Sequence, residues 1–210
     1  MAKGMDGFEH NCNATKTKYK DYKKSLNDSS YTETEKLIIW DFYVSHNLAG
    51  GCGLQRSFTD YGWTNASNKE KFLKEMESNL MHIAGIDKLC CIRSKKIDNT
   101  LKACDLYENE ICVEHPRAVI QRKFTLEIDE NEKISFAGGQ GGEKRIDCLF
   151  RHIRNSFAHT NTYFFNNGNV LLEDKDGTKI TSMILIKGQT LLDWIHYIDK
   201  DNRFYSEGDL

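Results

Sequence analysis

The fold is decided by the stretch from Glu143 to Thr160, which reads EKRIDCLFRHIRNSFAHT. Its apolar residues recur at i, i+3, i+4, i+7 and i+11, namely Ile146, Leu149, Phe150, Ile153 and Phe157. This spacing predicts an amphipathic helix with one buried stripe. At roughly 100° per residue, Arg154 falls at the edge of the stripe, and three polar residues fall well away from it: His152, Asn155 and His159. We therefore expect one face packed on the domain and an opposite polar face with room for a second copy of the helix.

The composition is that of an ordinary globular domain. The chain has 210 residues, 39% of them apolar and 29% charged, and a formal net charge of −2. One domain with a core is expected, and the charge excludes binding to nucleic acid through an overall basic character. Any positive surface must be local. The predicted helix is such a place, because it has one acid beyond Glu143, Asp147, against four bases: Lys144, Arg145, Arg151 and Arg154.

The cysteines and the apolar runs bear on the compartment and on cofactors. Seven cysteines, an odd number, occur without regular spacing and without any C-x-x-C pair. We expect free thiols in a reducing cytoplasm, with no metal site and no cofactor. There is neither the N-terminal apolar segment of an export signal nor an apolar run long enough to cross a membrane. We therefore expect a cytoplasmic protein without a membrane partner.

Upstream of the helix the chain is predicted to be mostly helical. Residues 1–30 form a polar, basic N-terminal extension containing KTKYKDYKKS; this run can hold an RNA backbone, although a solvated helix or mobile arm is favoured. A helix is predicted over residues 32–47, capped by Thr32 or Thr34, with Glu35 placed to form a capping box with Thr32. A second helix is predicted over residues 65–84, ended by Gly85. Residues 86–113 are expected to form one or two further helices.

Two segments before the predicted helix of residues 143–160, called the motif helix below, are ambiguous. Within residues 117–137, KFTLEI and KISFA can pair as a hairpin around DENE, but a helix over residues 117–126 is also open. The run GGQGG at residues 138–142 can cradle phosphate at a helix start. It matches neither common phosphate-binding pattern, so a flexible hinge is favoured.

After His159 the pattern changes to strands. TYFF, VLLE and TKITSMILI, separated by the turns NNGN and DKDG, predict a small antiparallel meander with Gly168 and Gly177 in the turns. A helix is predicted over residues 188–201, with Leu191, Leu192, Trp194, Ile195 and Ile198 apolar, and the last nine residues are expected to fray. The predicted fold class is mainly α, a helical bundle with a small meander inserted after the motif helix, in a single domain over residues 31–210.

The polar residues of the motif helix suit RNA cleavage without a metal. Arg154 and His159 are separated by four residues. Histidine titrates near neutrality and can take or give a proton, while arginine stays charged and offers a fork of donors that matches phosphate. Asn155 is i−4 to His159, so its amide can fix the ring or hold a phosphate oxygen. A helix with a merely polar C-terminus would have the same spacing, since R-x4-H also occurs by chance.

The run LFRHIRNSFAHTNTYFFNNGNVLLEDKDG resembles the HEPN superfamily, helical domains marked by R-x4–6-H with a polar residue, often asparagine, after the arginine. It is similar in particular to a plasmid- and phage-defence-associated HEPN group, over residues 146–201. The resemblance implies a metal-independent endoribonuclease that leaves 2′,3′-cyclic phosphate ends and acts as a toxin or abortive-infection effector against phage. It also implies a homodimer with a composite active site, with Arg154 and His159 catalytic and Asn155 supporting.

The resemblance leaves several assignments open. Arg151, His152 and Ser156 are candidate substrate contacts, with a solvated or interfacial role equally open for the first two. Antitoxin-modified toxins of the superfamily carry a tyrosine two residues after the histidine; here that residue is Asn161 and the nearest tyrosine is Tyr163. An antitoxin or regulatory partner is a further candidate, since a toxic nuclease needs restraint. The alternative functions are a non-catalytic module that binds RNA, a nucleotide or a protein, and a structural subunit.

Overall fold

The computed structural model describes residues 22–49, 54–64, 69–85, 90–93, 110–115, 118–121, 145–206 and 208. Four α-helices lie in these ranges: α1 (Glu33–Trp40), α2 (Lys69–Ile83), α3 (Arg145–Ala158) and α4 (Gly188–Ile198). They are accompanied by seven strands: β1 (Tyr22–Lys23), β2 (Cys90–Arg93), β3 (Glu110–His115), β4 (Ala118–Gln121), β5 (Thr162–Phe165), β6 (Asn169–Asp176) and β7 (Lys179–Lys187). No helix within the described ranges is both long and apolar enough to cross a bilayer.

The strands form one antiparallel sheet in the order β1-β5-β6-β7-β3-β4-β2. The predicted meander is confirmed as β5, β6 and β7, and Gly168 and Gly177 supply positive φ angles of 83° and 58° in its turns. The turn predicted at DKDG is wrong in position, because β6 continues through Asp174 and Lys175 to Asp176. The register between β6 and β7 shifts between Asp174 and Lys175, as at a β-bulge.

The sheet is larger than the sequence indicates. Helices were predicted within residues 86–113, but the structure has strands β2 and β3 there. A helix over residues 117–126 was one alternative, but the structure has strand β4 within that range. These are short apolar runs whose periodicity does not separate a strand from a buried helix, and pairing of β3 with β7 decides the matter. The fold class is therefore confirmed for the helices and the meander, but not for the small size of the β-structure. KFTLEI, KISFA and GGQGG lie outside the described residues.

The first helix begins where its capping residues predict. The Thr32 side chain accepts from the Glu35 N–H at 3.2 Å, and the Glu35 carboxylate accepts from the Thr32 N–H at 2.6 Å. After Trp40 the helix widens into a π-helical turn, Asp41–Ser45, closed by a bond of 2.8 Å from the His46 N–H to the Asp41 carbonyl. π-Helical turns of this kind are often found at functional sites.

The core lies between α3, the π-helical turn, α4 and one face of the meander. All five residues of the α3 stripe are buried, as predicted. Tyr43 stacks on both Phe150 and Phe157 at centroid distances of 6.0 and 5.9 Å, and its hydroxyl donates to the Leu191 carbonyl at 2.8 Å. Trp194 donates from its indole nitrogen to the Leu80 carbonyl at 2.8 Å, which ties α4 to α2. These contacts fix α3 on its apolar side.

Among the described residues after α4, the predicted fraying is wrong for Phe204 and Tyr205. Asp199 accepts hydrogen bonds of 2.9 and 2.8 Å from the backbone N–H groups of Phe204 and Tyr205. Tyr205 is buried, and its hydroxyl donates to Asp41 at 2.8 Å. This end of the described chain is therefore held against the π-helical turn.

Candidate functional site

The motif helix α3 ends in a Schellman motif with His159 at the C-cap position. The Asn161 N–H donates to the Ser156 carbonyl at 2.8 Å, and the Thr160 N–H donates to the Phe157 carbonyl at 3.1 Å. Thr160 occupies the left-handed position with a φ of 53°. The backbone at His159 is thus fixed while its side chain is exposed. A residue that exchanges protons with a substrate needs this combination of order and access.

Arg154 is held by an amide and not by a carboxylate. Its Nη1 donates to the Asn155 Oδ1 at 3.1 Å. In the part of the chain that the structure describes, Arg154 forms no ion pair, whereas Arg56 pairs with Asp41 at 3.1 Å. Its Nε is buried without a hydrogen-bond partner among the described residues. Among the described residues the half-buried guanidinium is therefore not paired with a carboxylate, and it has donors that are not used.

Asn155 connects the arginine to the sheet. Its Nδ2 donates to the Asp174 Oδ2 at 3.0 Å, while its Oδ1 accepts from Arg154. An ionised carboxylate only accepts and a guanidinium only donates, so this amide orientation is the one that satisfies both neighbours. Asn155 also lies one helical turn before His159, on the same side of α3. The amide therefore bonds Arg154 and Asp174. The sequence had instead predicted a contact with the His159 ring or with phosphate.

His152 is buried, contrary to the predicted position on an open polar face. Its Nδ1 lies 2.7 Å from the Asp174 Oδ2, and its Nε2 lies 3.3 Å from the Arg151 Nη2. Because Asp174 accepts and Arg151 donates, we assign the ring proton to Nδ1. Strand β6 covers this side of α3, so the helix is packed on two sides. A direct RNA contact by His152 would require α3 and β6 to separate.

Asp174 is the centre of this arrangement and was not predicted as a site residue. It is buried, and its Oδ1 accepts from the Lys175 N–H at 2.8 Å. Burial alone would raise the pKa of Asp174, but the hydrogen bonds from His152 and Asn155 outweigh it and bring the pKa below its usual value. Asp174 is therefore ionised at neutral pH. Its Oδ2 lies 3.9 Å from the Arg151 Nη1, so the negative charge of Asp174 balances the positive charge of Arg151.

Ser156 and Arg151, the other candidate substrate contacts, are also engaged. The Ser156 hydroxyl is fully buried and donates to the His152 carbonyl at 2.8 Å, a bond within the helix. Arg151 is half-buried beside Asp174. Tyr163, the nearest tyrosine to position 161, is buried as well. At the surface of the motif region lies the exposed His159, together with the half-buried Arg151, Arg154 and Asn155.

The lysine-rich run of the N-terminal extension ends beside this region. Its last residues form β1, in which Tyr22 and Lys23 pair with Phe165 and Phe164 of β5. The Lys24 ammonium lies 5.5 Å from the centroid of the Tyr163 ring. The part of the run before Tyr22 lies outside the described residues.

Asp41 and His46, at the two ends of the π-helical turn, are paired with each other. The Asp41 carboxylate accepts from His46 at 2.8 Å, from Arg56 at 3.1 Å and from the Tyr205 hydroxyl at 2.8 Å. Burial opposes the charge on Asp41, but the bonds from Tyr205 and His46 together with the charge of Arg56 lower its pKa. This cluster ties the last turn of the described chain to the π-helical turn.

Comparison with known proteins identifies one family. Residues 61–203 match the family model described as HEPN pEK499 p136, which spans the region from the loop before α2 to the turn after α4. Neither a curated protein nor a solved structure matches the chain.

Proposed function

The chain belongs to the HEPN pEK499 p136 family, and on this basis we propose that it is a metal-independent endoribonuclease with Arg154 and His159 as catalytic residues. The observation that carries the proposal is the amide-held arginine. Arg154 is held by Asn155 and is not paired with a carboxylate of the described residues, and the exposed His159 follows directly after the same helix. At 1.5 Å of rise per residue, the two positions lie about 7.5 Å apart along the helix axis.

The reaction follows from the chemistry of these groups. A base removes the proton from a ribose 2′-hydroxyl, the oxygen attacks the adjacent phosphorus, and the 5′-oxygen leaves with a proton from an acid. Arg154 neutralises the charge that gathers on the non-bridging oxygens. His159 performs one of the two proton transfers, which is worth roughly 10²- to 10⁴-fold in rate. The products are a 2′,3′-cyclic phosphate and a 5′-hydroxyl.

One His159 serves only one of the two transfers, so we place the active site between two chains. A two-fold axis that brings two α3 C-termini together supplies a second histidine and a second arginine. The contact must use the exposed end of the helix, because β6 covers the His152 side. We expect the RNA to be single-stranded or looped, since an unstacked nucleotide can adopt the in-line geometry.

The biological role we propose is that of a cytoplasmic toxin or an anti-phage effector of the abortive-infection type. A nuclease of this kind must be restrained in its host, so we also propose an antitoxin or regulatory partner. Restraint by modification of a tyrosine, as in the antitoxin-modified toxins of the superfamily, is not part of this proposal, because position 161 is asparagine and Tyr163 is buried.

The test is cleavage of total RNA by the purified protein in EDTA, with analysis of the product ends. We compare wild type with His159→Ala and with Arg154→Lys, which keeps the charge but loses the planar fork. The matched control is His196→Ala, because His196 is likewise an exposed histidine in the last turn of a helix, α4. We expect cyclic-phosphate ends from wild type and the control, at least a 100-fold loss in His159→Ala, and a marked loss in Arg154→Lys.

Two other outcomes are informative. Equal cleavage by His159→Ala and wild type would place any nuclease activity elsewhere. Absence of cleavage by wild type would favour the alternative, a non-catalytic module that binds RNA, a nucleotide or a protein. RNA binding that weakens steeply with salt and depends on Arg154 would then identify a phosphate-binding face.

A further inference from the structure

We propose that Asp174, on strand β6, is a positioning residue that orients Arg154 through the amide of Asn155. The inference rests on the RNase activity proposed above, and it adds a residue from outside the motif helix. Asp174 does not touch Arg154 itself. It acts on the guanidinium through one intermediate side chain.

The first step is the orientation of the amide. Asp174 Oδ2 accepts from Asn155 Nδ2 at 3.0 Å, and this bond forces Asn155 Oδ1 to the opposite side, where it accepts from Arg154 at 3.1 Å. If the carboxylate were absent, the amide could rotate or flip, and its NH₂ group would then face the NH groups of the guanidinium. Arg154 would lose the one side-chain hydrogen bond that it forms with the described residues.

Burying the Asp174 carboxylate carries a desolvation cost. Asp174 shares a sheet face with Val170 and Leu172, both of which are buried in the core, and an apolar residue would pack there without desolvating a charge. The backbone is adapted to the acid as well. The register shift falls directly after Asp174, and the next N–H donates to its Oδ1. Bulges of this kind often re-aim a side chain beside a functional site.

Asp174 does more than hold α3 against β6. His152 contacts the same oxygen at 2.7 Å and would by itself fix the helix on the strand. A buried apolar contact could hold α3 on β6 as well as the Asn155 bond does. What the Asn155 bond adds is that it determines where the donors of Arg154 point. The negative charge also faces Arg151 and not Arg154, so the orientation is transmitted without neutralising Arg154.

The experiment compares Asp174→Asn with Asn155→Ala and with the double variant. In the wild type, the two oxygens of Asp174 accept from three donors, which belong to His152, Asn155 and the backbone of Lys175. An asparagine at this position offers only one acceptor oxygen. We expect kcat to fall roughly 10- to 100-fold with little change in KM, because a misplaced charge stabilises the transition state less. The double variant should be no slower than Asn155→Ala, since Asp174 acts through Asn155. Multiplicative losses would overturn the proposal.

A matched control accounts for stability. Ile184→Val removes one methyl group from the core opposite Leu172 on the same sheet face and leaves Asp174 in place. If Asp174→Asn and Ile184→Val lose activity in proportion to the fraction unfolded, Asp174 is only structural and the proposal fails. A kcat loss in folded Asp174→Asn, absent in Ile184→Val, supports it.

A readout without RNA keeps this inference distinct from the proposed activity. The Arg154 Nε–H is buried, so its ¹⁵N NMR resonance, assigned by its loss in Arg154→Lys, should exchange slowly with solvent. In Asp174→Asn and in Asn155→Ala it should move toward the position and exchange rate of exposed arginines. If it stays unchanged in Asp174→Asn, the positioning role is refuted even in an active enzyme. If wild type cleaves no RNA but the resonance moves, the activity fails and the positioning of the arginine stands.

Discussion

Replacing Thr160 by asparagine should stabilise the protein, although Thr160 adjoins the proposed active site. Thr160 ends α3 with a φ of 53°, a left-handed conformation that is unusual for a β-branched residue. Its side chain contributes one bond, from Oγ1 to the His159 carbonyl at 2.7 Å, on the exposed surface. The Schellman bonds around it belong to the backbone and do not require threonine.

The magnitude follows from these contributions. A non-glycine residue in the left-handed region costs roughly 1–2 kcal/mol, and asparagine tolerates the region much better. Loss of an exposed hydroxyl bond costs about 0.5 kcal/mol. Thr160→Asn should therefore raise the free energy of unfolding by about 1 kcal/mol. Thr160→Gly removes the strain as well, but the freer unfolded chain returns roughly 0.5–1 kcal/mol, so its gain should be smaller.

The assay is urea unfolding at equilibrium, with the midpoints compared at constant m value. Thr160→Val is the matched control, because valine keeps the β-branched shape and the strained φ but loses the hydroxyl. We expect the order Asn, Gly, wild type, Val, from most to least stable. If both Asn and Gly unfold at lower urea than wild type while Val does not, the left-handed backbone is not a cost and the reasoning is refuted.

Two further predictions concern polar groups elsewhere in the fold. Tyr43→Phe should lower the free energy of unfolding by roughly 1–2 kcal/mol in urea titrations, because it removes a fully buried hydroxyl that donates to Leu191; an unchanged midpoint would contradict this. The lowered pKa of Asp41 means that the folded protein binds fewer protons there than the unfolded chain. The resulting stability is complete above the unfolded pKa, about 3.9, and is lost as pH falls below it. Asp41→Asn should therefore show a shallower fall of Tm below about pH 4 than wild type.

The sequence predicts those parts of the fold in which local signals and packing agree. The α3 stripe, the Thr32 capping box and the two glycine turns of the meander are each specified by residues close in the chain. Strands β2, β3 and β4 are not. Although β3 and β4 are neighbours in the chain, they join the sheet through pairing with β7 and β2, which lie farther away in sequence. The position of Tyr205 against Asp41 has the same origin, since nothing in a polar C-terminal segment indicates its contact with a residue 164 positions earlier.

The candidate site divides along the same line. The motif predicts Arg154, Asn155 and His159, and these three lie in and directly after the last turns of α3. Periodicity alone assigned His152 to an open face, because it detects an apolar stripe but not a second element packed on the polar side. Asp174 was assigned to a turn because DKDG has turn residues. Its burial follows from the continuation of β6, which no local pattern indicates.

The choice of asparagine at position 155 has a physical reason in this arrangement. An aspartate there would pair directly with Arg154, and it would also oppose the ionised Asp174 that now accepts from the amide at 3.0 Å. Two unit charges 4 Å apart interact by roughly 4 kcal/mol at an effective dielectric constant of 20, so such a pair would remove much of the attraction of Arg154 for a phosphate. A neutral amide transmits position without charge. The single negative charge of Asp174 is thereby placed toward Arg151 and His152, and Arg154 is left with its charge available to a substrate.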